Sequence, residues 1–123
     1  MLSQKKEGSV IIVDDEIVSA EALSEYLEIK GFQAMAFADP REALTAIAQG
    51  AVRADILVSD YSMPGMNGLE LISEAKKACP EILAILMSGF GDNSINWKLL
   101  CEGFFAKPVH FSKMAEKLNE LLA

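Results

Sequence analysis

An alternation repeated five times leaves this chain few folds to choose from. Short apolar runs, rich in β-branched and aromatic residues, are each followed by a stretch with helical spacing. Ser9-Val10-Ile11-Ile12-Val13 is a continuous apolar run after its serine, as expected of a strand buried on both faces. Ile17, Ala20, Leu23 and Leu27 then recur at spacings of three and four, the stripe of a helix, which Gly31 stops just after Lys30. Gln33 to Phe37 reads as a weaker strand. Asp39-Pro40 opens a helix running to about Gln49, since the aspartate can cap and proline suits the first turn. Ile56 to Ser59 is the third strand. Leu69, Ile72, Ala75 and Cys79 mark a third helix, ended by Pro80. Leu83 to Met87 is the fourth strand. Residues 93–102 are expected to form a fourth helix of weak periodicity, because Asn93, Ser94 and Asn96 are poor helix formers. Phe104-Phe105-Ala106 is the fifth strand, and Phe111, Met114, Leu118 and Leu121 stripe the closing helix.

Strands alternating with helices imply parallel βα units, right-handed crossovers, and a doubly wound α/β sheet with helices on both faces. A length of 123 residues makes one domain, large enough to bury roughly two-thirds of the unfolded chain's surface without a disulfide or metal staple. Residues 1–8 are polar and read as a flexible tail, leaving 9–123 as the domain. The net charge of −7 excludes a general affinity for nucleic acid or anionic membrane. No apolar run approaches the roughly 18 residues of a membrane span, and the first residues lack a signal peptide's apolar core. Cys79 and Cys101 form no CxxC pair, and His110 is the single histidine, so a zinc site is excluded. Both cysteines read as reduced, partly buried fillers of a cytoplasmic protein.

In open parallel sheets, sites lie at the carboxyl ends of strands, near the switch in strand order. The first strand ends in Val13-Asp14-Asp15-Glu16, the third in Ser59-Asp60, the fourth in Met87-Ser88-Gly89 and the fifth in Ala106-Lys107-Pro108. One rim therefore receives three carboxylates, a hydroxyl and an ammonium. Three carboxylates brought together repel, and a divalent cation removes the conflict. Oxygen ligands without cysteine or histidine favour Mg²⁺ or a similar ion, which leaves coordination positions for water and a phosphate oxygen. Lys107 and Ser88 can hold further phosphate oxygens, and Asp60 is then free to act as a nucleophile that forms an aspartyl phosphate. Taken singly, each cluster also has a bland explanation: a helix cap at Asp14-Asp15, an Asx-turn at Asp60, a loop start at Ser88-Gly89, a strand stop at Lys107-Pro108. Their joint order along the chain is what is specific.

With these motifs the sequence resembles the receiver domain of bacterial two-component response regulators. The matching segments are Val13-Asp14-Asp15-Glu16, Asp60-Tyr61-Ser62-Met63-Pro64-Gly65-Met66-Asn67-Gly68, Ser88-Gly89 and Phe104-Phe105-Ala106-Lys107-Pro108, and the likeness runs from about residue 9 to the end. The resemblance implies a flavodoxin-like, CheY-like (βα)5 fold with strand order 2-1-3-4-5. It implies that Asp60 accepts phosphate from a histidine kinase or histidine phosphotransfer protein. Asp14, Asp15, Asp60 and the backbone carbonyl of Ser62 would bind Mg²⁺ or Mn²⁺, and Lys107 and Ser88 would contact the phosphoryl group. The Lys107–Pro108 bond would be cis. Ser88 and Phe104 would act as a switch that remodels the face made by the 93–102 helix, the fifth strand and the closing helix, which an unknown effector reads. The chain would be a signalling module rather than an enzyme in its own right, a monomer or a phosphorylation-dependent dimer.

Ser62 and Phe90 occupy positions that tune phosphoryl lifetime in such domains; Phe90 either obstructs an attacking water or simply packs on its loop. Trp97 is either a packing residue or an anchor for a partner. The sequence departs from the family where receivers commonly carry Gly-Ala five to six residues before the lysine; here Cys101-Glu102 stands instead. Two competing functions remain in view. A small Mg²⁺-dependent phosphohydrolase of the halo-acid type would need a second acid two residues after its nucleophile, where this chain has Ser62, and room for a substrate cap. A pseudo-receiver that only binds a partner would not need the full set of Asp14, Asp15, Asp60, Ser88 and Lys107.

Overall fold

Five strands pair in parallel, in the order β2-β1-β3-β4-β5, in a computed structural model that describes residues 8–89 and 95–123. The elements follow the chain as β1 (Ser9–Val13), α1 (Ile17–Ile29), β2 (Gln33–Phe37), α2 (Pro40–Ala48), β3 (Ile56–Asp60), α3 (Gly68–Ala78), β4 (Leu83–Ser88), β5 (Gly103–Ala106) and α4 (Phe111–Leu122). The doubly wound α/β architecture and the strand order 2-1-3-4-5 agree with the sequence expectation. β1 and β3 are buried along their whole length, which is why they read as unbroken apolar runs. β2 lies at one edge and is only partly covered, and its pattern was accordingly weaker.

The sheet separates two cores. On one face, Val10, Ile12, Ile56, Val58, Ile85 and Met87 meet Leu23 and Leu27 of α1 and Met114 and Leu118 of α4. On the other, Ile11, Val13, Leu57, Ala84 and Leu86 meet Ala43 and Ile47 of α2 and Leu71, Ile72 and Ala75 of α3. Alternation along each strand thus assigns odd and even residues to opposite layers. Two helix starts are capped, the first as expected. Asp39 accepts a hydrogen bond from the Arg41 N–H at 2.9 Å, as its place before Pro40 suggests. Asn67 and Glu70 form a reciprocal capping box at α3, each side chain bonded to the other's backbone N–H at 2.9 Å.

Two expectations are corrected. The fourth helix expected over 93–102 is not formed in its described part, residues 95–102. There the chain makes a single turn in which the carbonyl of Trp97 accepts from the N–H groups of Leu100 and Cys101 at 3.1 and 2.9 Å. The reason lies in the apolar spacing. Trp97, Leu100 and Cys101 fit one face of one turn, but Ile95 falls on the far side, and Leu99 is left 84% exposed. The sequence reading also counted Gly8 with the tail. Gly8 is buried, and its carbonyl accepts from the Gln33 N–H at 2.9 Å, so Gly8 is part of the fold. The rest of that tail, and Phe90 with its proposed effect on phosphoryl lifetime, lie outside the described residues.

Candidate functional site

The carboxyl edge of β1, β3 and β5 carries the predicted cluster, and strand alternation explains how. Asp14 lies two residues beyond Ile12, Asp60 two beyond Val58, and Lys107 two beyond Phe105. Ile12, Val58 and Phe105 all face the α1–α4 core, so the next side chain of the same parity emerges from that layer at the rim. The pairing partners are in register there: Val13 lies opposite Ser59, and Asp60 opposite Met87. Hence Asp60 is only 6% exposed and Asp14 only 2%, although both are carboxylates.

Lys107 sits between them. Its Nζ donates to Asp14 Oδ2 at 3.1 Å and lies 3.4 Å from Asp60 Oδ2. The Lys107 N–H donates to the Ser88 carbonyl at 2.8 Å, and the Lys107–Pro108 peptide bond is cis, as expected. The other oxygen of Asp14, Oδ1, accepts from the Glu16 N–H at 3.0 Å. That bond is an Asx-turn leading into α1, which has no side-chain cap of its own, and the second oxygen of Asp14 is the one held by Lys107. Asp15 is exposed, and one carboxylate oxygen from each of Asp14, Asp15 and Asp60 lies within 4.8 Å of the others.

The electrostatics are those of an incomplete charge balance. Three carboxylates face one ammonium. Burial, and then the neighbouring Asp14 charge, push the Asp60 carboxyl from its usual 3.8 up to about 6, against the pull of Lys107. Burial pulls the Lys107 ammonium down, but its hydrogen bond to Asp14 and the charge of Asp60 outweigh this and leave it raised. Two buried carboxylates and one exposed, with excess negative charge and only oxygen donors, suit a hard divalent cation, so Asp14, Asp15 and Asp60 fit Mg²⁺.

The loop after Asp60 is shaped around its backbone. The Ser59 hydroxyl donates to the Asp60 carbonyl at 2.9 Å. Gly68, the first residue of α3, lies directly over that carbonyl, and any Cβ there would collide with it and with Leu86. The Gly68 N–H donates to the Tyr61 carbonyl at 2.8 Å, closing the loop on itself. Gly65 turns the chain at φ +84°, in the region where side chains are disfavoured. Ser62 lies exposed in this loop.

Ser88 is 1% exposed at the end of β4, on the opposite parity from the acidic cluster. Phe104 has the same parity as Ser88, since it pairs with Leu86 while Ser88 pairs with Ala106. Trp97 is half-buried and stacks on Phe104, with ring centroids 5.6 Å apart and planes at 26°. Glu102 was missed as a structural residue. Its Oε1 accepts from the Ala84 N–H at 2.7 Å, and Lys76 Nζ reaches both of its oxygens at 3.3 Å. Nothing in the local pattern signals this; only the departure from Gly-Ala marked the position. Cys101, beside it, is buried, and burial pushes its thiol up to about 12. A groove of about 640 Å³ runs from Asp14 and Lys107 between α1 and the start of α4, past Val18, Met87, Val109 and Phe111.

The family model of the response regulator receiver domain matches residues 10–119. The chain is 33% identical over 111 residues to the C4-dicarboxylate transport transcriptional regulatory protein DctD of Rhizobium meliloti (strain 1021), covering 88% of this chain and 24% of that protein. It is 30% identical over 118 residues to the sensor kinase CckA of Brucella abortus (strain 2308), covering 94% of this chain and 12% of that one. The chain thus spans a quarter or less of these curated relatives. In fold it is similar to a response regulator receiver domain protein from Clostridium thermocellum, with a TM-score of 0.85 at 23% identity over 94% of both chains. It is also similar to the response regulator protein TrrA from Thermotoga maritima, solved in complex with Mg²⁺ and BeF, with a TM-score of 0.81 at 26% identity over 93% of this chain and 98% of that one.

Proposed function

The chain belongs to the response regulator receiver domain family, and on that premise we propose that Asp60 is its phosphoacceptor, charged by a phosphohistidine-bearing kinase or phosphotransfer protein. The observation that carries this is the placement of Asp60: nearly buried, flanked by Asp14, and within 3.4 Å of the Lys107 ammonium. An oxygen of the Asp60 carboxylate attacks phosphorus, the phosphorus–nitrogen bond breaks, and its electron pair returns to the donor imidazole. With its carboxyl held near 6, Asp60 is largely ionised at neutral pH and more basic than an ordinary aspartate. Asp14, Asp15, Asp60 and the Ser62 carbonyl would hold a divalent cation, which when bound neutralises the excess charge of carboxylates and phosphoryl oxygens. Lys107 is placed to exchange its contact with Asp60 for one with a phosphoryl oxygen. Ser88, at the end of the neighbouring strand, would reorient to donate its hydroxyl to another.

The groove between α1 and α4 opens directly onto Asp14 and Lys107, and it offers the donor protein an apolar wall with Val18 76% exposed. The output is a change in the crossover, β5 and α4 that an effector reads, so the domain acts as a cytoplasmic signalling module. The test is incubation with Mg²⁺ and acetyl phosphate. One hydroxylamine-labile phosphoryl group per chain is expected by intact mass, absent in Asp60→Asn and suppressed by chelating the metal. Labelling that survives Asp60→Asn removes the site assignment. In Lys107→Ala the phosphoryl group is expected to form while the conformational response weakens.

A further inference from the structure

The described part of the crossover between β4 and β5, residues 95–102, forms a turn rather than a helix, and the turn carries the chain's one tryptophan. The turn is closed on itself by its own backbone bonds and tied to β4 at its far end. The Trp97 N–H donates to the Ile95 carbonyl at 3.0 Å, and the Trp97 carbonyl accepts from Leu100 and Cys101. Glu102 then clamps the segment to β4 twice, once through its own N–H to the Ala84 carbonyl and once through its carboxylate to the Ala84 N–H, both at 2.7 Å. Lys76 ties that carboxylate to the Ile82 carbonyl as well, at 3.3 and 3.1 Å. The indole is therefore positioned by backbone and buried contacts, and it lies on Phe104 in a stacked geometry. Phe104 shares a sheet face with Ser88, two residues further along the register. A movement of the Phe104 ring away from its present position would change this stack.

We propose that Trp97 is a positioning residue that holds Phe104 against the crossover in the unphosphorylated protein, so that the Trp97–Phe104 stack sets how far the switch is biased toward its resting state. This rests on Asp60 being the phosphoacceptor. Stacked aromatic pairs contribute enough to move a two-state equilibrium by roughly two- to tenfold. A resting state stabilised by that factor weakens the apparent affinity of anything that prefers the switched state by the same factor.

The single tryptophan makes the stack directly observable. Intrinsic emission is titrated with beryllium fluoride and Mg²⁺, and followed in parallel with acetyl phosphate while intact mass reports the phosphoryl group. The wild type is expected to change emission saturably. Phe104→Leu is expected to start at the emission of the phosphorylated wild type and to change little. Trp97→Leu, followed by tyrosine emission or near-ultraviolet dichroism, is expected to bind beryllium fluoride about two- to tenfold more tightly, and Trp97→Phe to return toward the wild-type value. Circular dichroism in the far ultraviolet checks that each variant folds; if Trp97→Leu does not, the wild-type and Phe104→Leu emission comparison still decides. A gain of mass with unchanged Trp97 emission overturns the proposal while leaving Asp60 as acceptor. No gain of mass overturns the functional reading and this proposal with it.

Discussion

Removing the negative charge of Asp60 should make the metal-free protein more stable. A carboxyl whose pKa rises from 3.8 in the unfolded chain to about 6 in the folded one is easier to fold protonated than ionised. The favourable contribution of the protonated group is fully present below 3.8 and is lost as the pH rises through about 6. Between those values the folded state binds more protons than the unfolded one, so stability falls with rising pH. At about 1.4 kcal/mol per pH unit, the displacement from 3.8 to about 6 amounts to roughly 3 kcal/mol at neutral pH. Asp60→Asn keeps the shape and loses the charge, so it should recover about 1–3 kcal/mol, the lower figure allowing for an amide that hydrogen-bonds Lys107 less well. The assay is urea unfolding of both proteins in chelator at pH 7.5 and again near pH 3.5. The variant's midpoint should be higher at pH 7.5, and the gap should close near pH 3.5, where Asp60 is mostly protonated in both states. Mg²⁺ should then stabilise the wild type at neutral pH and Asp60→Asn much less, since only the former offers three carboxylates to a cation. A variant no more stable than wild type at pH 7.5, or a gap independent of pH, would refute the view that Asp60 is held against its own charge.

Gly68→Ala should destabilise by about 1–3 kcal/mol in the same unfolding assay, because its Cβ meets the Asp60 carbonyl and Leu86; a loss below about 0.5 kcal/mol would show that the start of α3 can slide aside. Glu102→Ala should lose about 1–3 kcal/mol by leaving the Ala84 N–H unpaired, whereas Glu102→Gln should lose under about 1 kcal/mol, since it keeps an acceptor and gives up only a partly exposed ion pair with Lys76. Equal losses in the two variants would mean that the ion pair, not the hydrogen bond, anchors the crossover.

Most of the fold was legible because its signals are local. Val10 to Val13 and Ile56 to Val58 announce strands buried on both faces, and Asp39-Pro40 announces a helix start. The acidic rim followed from topology: once the strands are parallel, Asp14, Asp60 and Lys107 must reach the same edge. The cis bond at Lys107–Pro108 was expected from the resemblance alone. The crossover was misread because helical spacing at Trp97, Leu100 and Cys101 extends for one turn only, while Ile95 and Leu99 contradict it. A single turn of compatible residues does not offset the cost of nucleating a helix unless packing supplies the rest. Here packing supplied an alternative, with Trp97 on Phe104 and Glu102 on β4.

The sequence by itself determined which residues are buried in strands, the parallel winding, and the delivery of three carboxylates and one lysine to a common rim, since these depend on periodicity and on the handedness of βα units. Tertiary structure alone decided that Lys107 rests between Asp14 and Asp60, that Asp60 is held near 6, that Gly68 covers its carbonyl, and that Trp97 lies on Phe104. Those facts depend on distances between residues far apart in the chain, and no local pattern encodes a distance that only the packed sheet and its crossovers establish.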